Sequence, residues 1–332
     1  MAAPKVQPNS WRVFAIAAAA ATAATIAFAL VLQFQPGGDT FVTAVDDIGE
    51  AVAALLAAAA CAWTASRSVG SLRRGWVLMA ASASAWCIGE LVWSIYEVGL
   101  GVASPFPSAA DIGFLLAMPL AVAGVLSFWT APRGTAEHWR LWLDGLTIAL
   151  ALTFTGWSLG LQQVGLSPGT LGERAIGLAY PMGDILVATI LILAIRRATR
   201  FHHARLLLLL GGLAANAIAD SVFAYMTARG NYPTLVIDTG WVVGYLMIAL
   251  AALWPARPPD RAAERMPIDL WQVALPWAAV LAAGVSALVV VMRGQRTDQF
   301  QTELAVAIAG LLMLSEVLIP WLTIWRTAPH DA

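Results

Sequence analysis

The stretch GWVLMAASASAWCIGELVWSIYEVG, residues 75–99, decides the fold. It is apolar over a length that crosses a ~30 Å hydrocarbon core as a helix. Yet Glu90 lies deep inside it. An ionised carboxylate at mid-bilayer costs on the order of 2.5–3.5 kcal/mol on insertion scales. Such a residue is expected to face a polar interior shared with other helices, not lipid.

Working outward, the same apolar length recurs along the chain. Of its 332 residues 60% are hydrophobic and 12% charged, against roughly 25% charged in soluble domains. The chain reads as one all-α, polytopic membrane domain, 1–332, of about ten spans: 11–34, 44–66, 75–99, 109–130, 140–163, 179–196, 204–228, 236–255, 268–292 and 302–326. Fifteen of the 19 basic residues fall on one side of that alternation, with Arg174, Arg229, Arg293 and Arg296 on the other. The positive-inside rule then places both termini in the cytoplasm of a bacterial cytoplasmic membrane. The first apolar run exceeds the 7–15 residues of a signal-peptide core and is expected to remain as a helix.

Asp220 repeats the anomaly of Glu90. Trp86, Glu90, Trp93 and Glu97 align without gaps on Asn216, Asp220, Phe223 and Thr227. Phe106-Pro107 then matches Tyr232-Pro233, Asp111 matches Asp238, and Phe114 matches Trp241. Tyr180-Pro181 followed by Asp184 is a weaker third copy. The two clear copies are four spans apart, so the internal repeat is parallel, unlike the inverted repeats of many transporters.

Glu90 and Asp220 each lie about 15 residues from the cytoplasmic ends of their spans. That is roughly 22–24 Å across the core, in its outer third. Trp86, Glu90, Trp93 and Glu97 share one helical stripe. Asp46, Asp111, Asp184 and Asp238 open helices in this reading, where a carboxylate caps free N–H groups and complements the dipole. Thr43-x-x-Asp46 and Ser108-x-x-Asp111 fit a capping-box spacing. Capping does not prevent such a residue from lining a site. The two deep acids are open to three readings: protonated and bonded to Asn216, Tyr96 or Tyr225, sharing a proton or metal ion, or meeting a cationic ligand.

Other chemistry is poorly represented. Cys61 and Cys87 fall inside spans without metal-ligand spacing and read as small buried hydrophobes. His138, His202, His203 and His330 fall outside the spans, which disfavours haem ligation between helices. There is no HExxH, nucleophile elbow or phosphate loop. The expectation is therefore no enzyme activity in this chain. Pro119, Pro276 and Pro320 lie within spans and are expected to kink them.

The runs PFPSAADIGFLLAMPL (105–120), GLAYPMGDILVATIL (177–191), IADSVFAYMTARGNYP (218–233) and IDTGWVVGYL (237–246) resemble the multi-span N-terminal membrane region of actinobacterial GGDEF/EAL proteins, which make or degrade cyclic di-GMP. The resemblance covers roughly residues 80–255. It implies a sensory module. No cyclase, phosphodiesterase or PAS domain is read after the last span of these 332 residues, so catalysis is expected to lie outside them: either an output domain is missing from this sequence, or the protein works alone or with a partner.

The resulting expectation is a membrane-embedded sensor or signal-transducing module. Its site opens toward the outer face and is lined by Glu90, Asp111, Asp184, Asp220 and Asp238, with Trp93, Tyr180, Tyr232 and Trp241 around it. Expected partners are the lipid bilayer, a cytoplasmic signalling partner, and a small cation or proton as ligand, with no nucleic acid. Spans 9 and 10 would pass the signal inward. The rival expectation is a proton- or cation-coupled small-molecule transporter.

Overall fold

A computed structural model describes residues 10–128, 135–197, 200–229, 236–255, 270–294 and 296–318. The described residues contain helices and no strand. In chain order these are α1 Ser10–Phe34, α2 Asp39–Ser66, α3 Gly70–Ser94, α4 Ala110–Ser127, α5 Thr135–Gly156, the short α6 Gln162–Gly165, α7 Leu171–Arg197, α8 Arg200–Ala228, α9 Thr239–Leu253, α10 Leu270–Met292 and α11 Gln299–Leu312. A π turn, Ile95–Gly99, extends α3, and another, Trp157–Leu161, follows α5. Seven helices are long and apolar enough to cross a membrane: α1 to α4 and α7 to α9. Their outer faces carry exposed Ile16, Leu30, Leu55, Ile88, Ile112 and Ile218, as surfaces bathed in acyl chains require. The expected spans 140–163, 268–292 and 302–326 fall on α5, α10 and α11, which are not among the seven. The part of the last one beyond residue 318 lies outside the described residues.

The chain forms two units. In the first, α2 packs on α3, α3 on α4, α4 on α7, α7 on α8, α8 on α9, and α9 on α2. Six helices thus close a ring, and α1 lies against α9 and α2. Small residues allow close helix crossings at α3–α4 and α8–α9. A Cβ at Gly113 of α4 would meet Ala85 O and the Gly89 backbone of α3. A Cβ at Gly240 of α9 would meet Ala215 O and Ala219 of α8. Close approach of backbones at Gly and Ala is how apolar helices gain packing contact without a hydrophobic driving force between them. The second unit holds α5, α10 and α11, with α5 packed on the other two. There Asp298 caps α11 by accepting from Gln301 N at 2.7 Å, and it also accepts from Trp157 Nε1 at 2.8 Å and Gln162 Nε2 at 3.0 Å.

Helix starts correct three expectations. Gly37 and Gly38 adopt φ of +82° and +83°, so the chain turns there and α2 begins at Asp39. Asp46 is then in the third turn of the helix and caps nothing. Thr170 and Glu173 form a reciprocal cap, with Thr170 N donating to Glu173 Oε2 at 2.8 Å and Glu173 N to Thr170 Oγ1 at 3.3 Å. This starts α7 at Leu171, eight residues before the expected span 179–196. Tyr180-Pro181 is consequently helical and not a loop, and Asp184 sits mid-helix and not at its start. Pro181 is tolerated because neighbouring helices enclose the interrupted turn. Asp238 occupies the position before α9 but makes no capping bond to that helix.

Candidate functional site

The acids of the ring gather near one end of it, where α3 and α8 finish and α2, α4, α7 and α9 begin. Glu90 and Asp220 both fall 20 residues into their helices, α3 and α8. Glu50 of α2 lies roughly 16 Å from that helix's first residue at 1.5 Å per residue. They meet around a cavity of about 60 Å³. Five carboxyl side chains line it: Asp47, Glu50, Glu90, Asp111 and Asp220. Trp86, Trp93, Phe114, Tyr180, Phe223 and Trp241 also line it, and among the described residues no Lys or Arg takes part.

The aromatic rings form a continuous chain. Ring centroids are 4.6 Å apart for Trp86 and Phe114, 6.5 Å for Phe114 and Trp93, 6.0 Å for Trp93 and Phe223, and 6.1 Å for Phe223 and Trp241. These separations suit edge and tilted packing, which fixes the rings in place.

Polar contacts hold several of the acids. Asp111 accepts the Tyr180 hydroxyl through Oδ1 and the Ser108 N–H through Oδ2 at 2.5 Å. The Ser108 N–H precedes the helix, whose N-cap Ala109 has no side-chain cap bond, so Asp111 ties down the approach to α4 and faces the cavity without capping the helix as expected. Trp241 Nε1 donates to Asp220 Oδ1 at 2.7 Å. Two pairs of carboxyls lie within hydrogen-bonding reach, Glu50 with Glu90 and Asp184 with Asp220. Two bare carboxylates repel at such a distance, and a proton or a cation between them would relieve that repulsion. Asp47 Oδ2 and Asp220 Oδ2 find no donor, although only 5% and 4% of these residues is exposed.

Six of the nine expected site residues line the cavity: Glu90, Asp111, Asp220, Trp93, Tyr180 and Trp241. Asp184 stands behind Asp220, outside the lining. Asp238 is 1% exposed and interacts with Asp46 and Asp47, beside the cavity and not in its wall. Tyr232 lies outside the described residues. Glu97 falls in the π turn Ile95–Gly99 that follows α3 and is not part of the cavity's lining. It accepts from Ser104 N at 3.3 Å instead. Neither Tyr96 nor Tyr225 reaches the acids by a hydrogen bond; Tyr225 lies under Arg229, 4.4 Å from its guanidinium.

Asp47 and Glu50 are the lining acids that sequence reasoning missed. The signal was DDIGE at 46–50, three acids on neighbouring positions of one apolar helix. Of these three, the expectation from sequence names only Asp46, as a helix start.

A second cavity, of about 320 Å³, adjoins the first. The two share Tyr180 and Phe223. Its wall includes Phe106, Val164, Pro168 and Ala224, with Ser167, Glu173 and Thr227 as polar members. Among the described residues no three His, Cys, Asp or Glu side chains are placed to hold a metal ion. No protein-family model matches this chain, and no curated protein or solved structure is detectably similar to it.

Proposed function

We propose that this chain is a membrane-embedded sensory or signal-transducing module, with an acidic site toward the outer face of a bacterial cytoplasmic membrane. The observation that carries the reading is the cavity itself: five carboxyls and six aromatic side chains within a six-helix ring, with no basic residue in the wall among the described residues. A cation or proton entering there supplies the missing positive charge. It changes the repulsion between α2, α3, α7 and α8, and hence their packing. Helix movement then reaches a cytoplasmic partner or output domain. The resemblance to membrane regions of cyclic di-GMP signalling proteins supports the sensor. So does the pattern of positive charge, which puts the acidic end outside.

The internal repeat extends, in this reading, to a third helix. Glu50 and Glu90 on α2 and α3 then correspond to Asp184 and Asp220 on α7 and α8. The crossings at Gly113 and Gly240 support that correspondence, since their partners Ala85 and Ala215 are equivalent in the alignment. Two like halves facing one cavity make a site whose occupancy acts on both at once.

The test is thermal stability of the full-length protein across pH and a panel of cations, beside a Glu90→Gln/Asp220→Asn double variant. Wild type is expected to be stabilised by acid or by one cation, and the variant to lose that response. Equal responses would make the carboxylates structural and remove the support for a site. A transporter is the second reading. It draws on the two adjoining cavities, which share Tyr180 and Phe223 in their walls. Counterflow in proteoliposomes separates the two, since a sensor moves nothing.

A further inference from the structure

The geometry points to a protonated primary amine as the ligand: its ammonium head sits in the acidic cavity, and its apolar tail lies past Tyr180 and Phe223 in the larger one. This rests on the acidic-site reading above and narrows the ligand class. Three observations select it over other cations.

The first is the pair of unsatisfied acceptors. Asp47 Oδ2 and Asp220 Oδ2 are buried in the cavity wall without a donor. A buried acceptor left unpaired is costly, and N–H groups would satisfy it. A primary ammonium brings three such donors. A quaternary ammonium brings none and would leave both oxygens unsatisfied.

The second is the wall. A desolvated metal ion needs several oxygens converging on one point. No such cluster of three occurs among the described residues. The acids are instead interleaved with Trp86, Trp93, Phe114 and Trp241. Aromatic faces attract a desolvated alkylammonium through their quadrupoles, in addition to packing its carbons.

The third is size and continuity. A volume of about 60 Å³ corresponds to roughly four to six water-sized spheres at ~10–15 Å³ each. That accommodates an ammonium group and a carbon or two, not a longer molecule. The neighbouring 320 Å³ cavity has room for the remainder, with Phe106, Val164, Pro168 and Ala224 as its apolar side and Ser167, Glu173 and Thr227 as its polar one. Tyr180 and Phe223 stand between the two. The Tyr180 hydroxyl is held by Asp111, so the collar is tied to the same acids that receive the head.

The probe is n-butylammonium, tested against the full-length protein in detergent by thermal unfolding and by tryptophan fluorescence. The comparison ions are tetramethylammonium, sodium and magnesium at equal ionic strength. A hundredfold excess over Kd is expected to raise the melting temperature by about 3–5 °C, and binding should shift the emission of the wall tryptophans. The comparison ions should do neither. The nearly isosteric Asp47→Asn should weaken butylammonium binding at least tenfold while the protein still melts cooperatively. Ala228→Trp, which fills the larger cavity and leaves the five acids of the smaller one in place, should weaken butylammonium but not methylammonium.

Equal stabilisation by tetramethylammonium or sodium would overturn the amine assignment and leave an acidic cation site standing. So would protection by acid alone with no added effect of amine. If neither amine, ion nor acid moves the wild type, and the Glu90→Gln/Asp220→Asn variant melts like it, the acidic-site reading falls with the inference.

Discussion

Replacing Gly113 with Ala tests whether the α3–α4 crossing holds the acidic cavity together. The added Cβ would stand 2.5 Å from Ala85 O, 2.8 Å from Gly89 N and 3.0 Å from Gly89 Cα. Carbon–oxygen contacts settle at about 3.3–3.6 Å, so the deficit is roughly 0.8–1.1 Å. All three obstructing atoms are backbone, and no side-chain rotation relieves them. The helices must separate by about that distance. Alanine regains up to about 1 kcal/mol of helix propensity, while overpacking costs about 1–3 kcal/mol and sometimes more. Separation also loosens Phe114 from Trp86, whose rings are 4.6 Å apart, which adds to the loss. The net expectation is destabilisation of about 1–3 kcal/mol, or several degrees of melting temperature. Gly240→Ala should cost less, because its nearest obstruction is the Ala219 Cβ at 2.9 Å, followed by Ala215 O at 3.1 Å. Gly172→Ala, on α7 of the same unit, is the control. There a Cβ meets nothing closer than Thr170 Oγ1 at 3.9 Å, and the change should be neutral or slightly stabilising. The assay is reversible unfolding of the three variants in one detergent, followed by circular dichroism. If Gly113→Ala were as stable as Gly172→Ala, the crossing would not be close in the folded protein and the cavity built on it would be in doubt.

Three further outcomes follow from the same contacts. Tyr180→Phe removes the hydroxyl that Asp111 accepts and should cost about 1–3 kcal/mol of stability, read by thermal unfolding. It should also speed exchange of any bound ligand, read by stopped-flow fluorescence. Asp184→Asn places N–H donors where a second carboxyl faces Asp220. It should stabilise the protein at neutral pH by about 1 kcal/mol, and a loss of stability there would mean that the pair is completed by a bound cation. Asp298→Ala removes a cap and two side-chain hydrogen bonds in the second unit and should cost about 2 kcal/mol. Asp298→Asn should recover part of this, because its side-chain oxygen still accepts.

Much of this protein is readable along one dimension. Long apolar runs dictate helices, because backbone N–H and C=O groups in lipid can be satisfied only internally. That is why α1, α3, α4 and α8 lie close to their expected positions. The anomaly of Glu90 and Asp220 is equally local: a carboxylate inside an apolar run has a cost that needs no structure to state. Where helices begin was less legible. The Gly37-Gly38 turn and the Thr170–Glu173 cap each act through two or three residues and outweigh the hydropathy average. Those shifts moved Asp46 and Asp184 from helix starts to helix interiors. Which acids share a wall was not legible at all. Asp47 and Glu50 reach Glu90 only because α2 packs beside α3, and Asp220 joins them only because α4 packing on α7 and α9 packing on α2 close the ring. Hydropathy has no term for which face of a helix meets which neighbour. That choice is made by backbones approaching at Gly89, Gly113 and Gly240, where the absence of side-chain bulk sets the crossing and turns the acids inward.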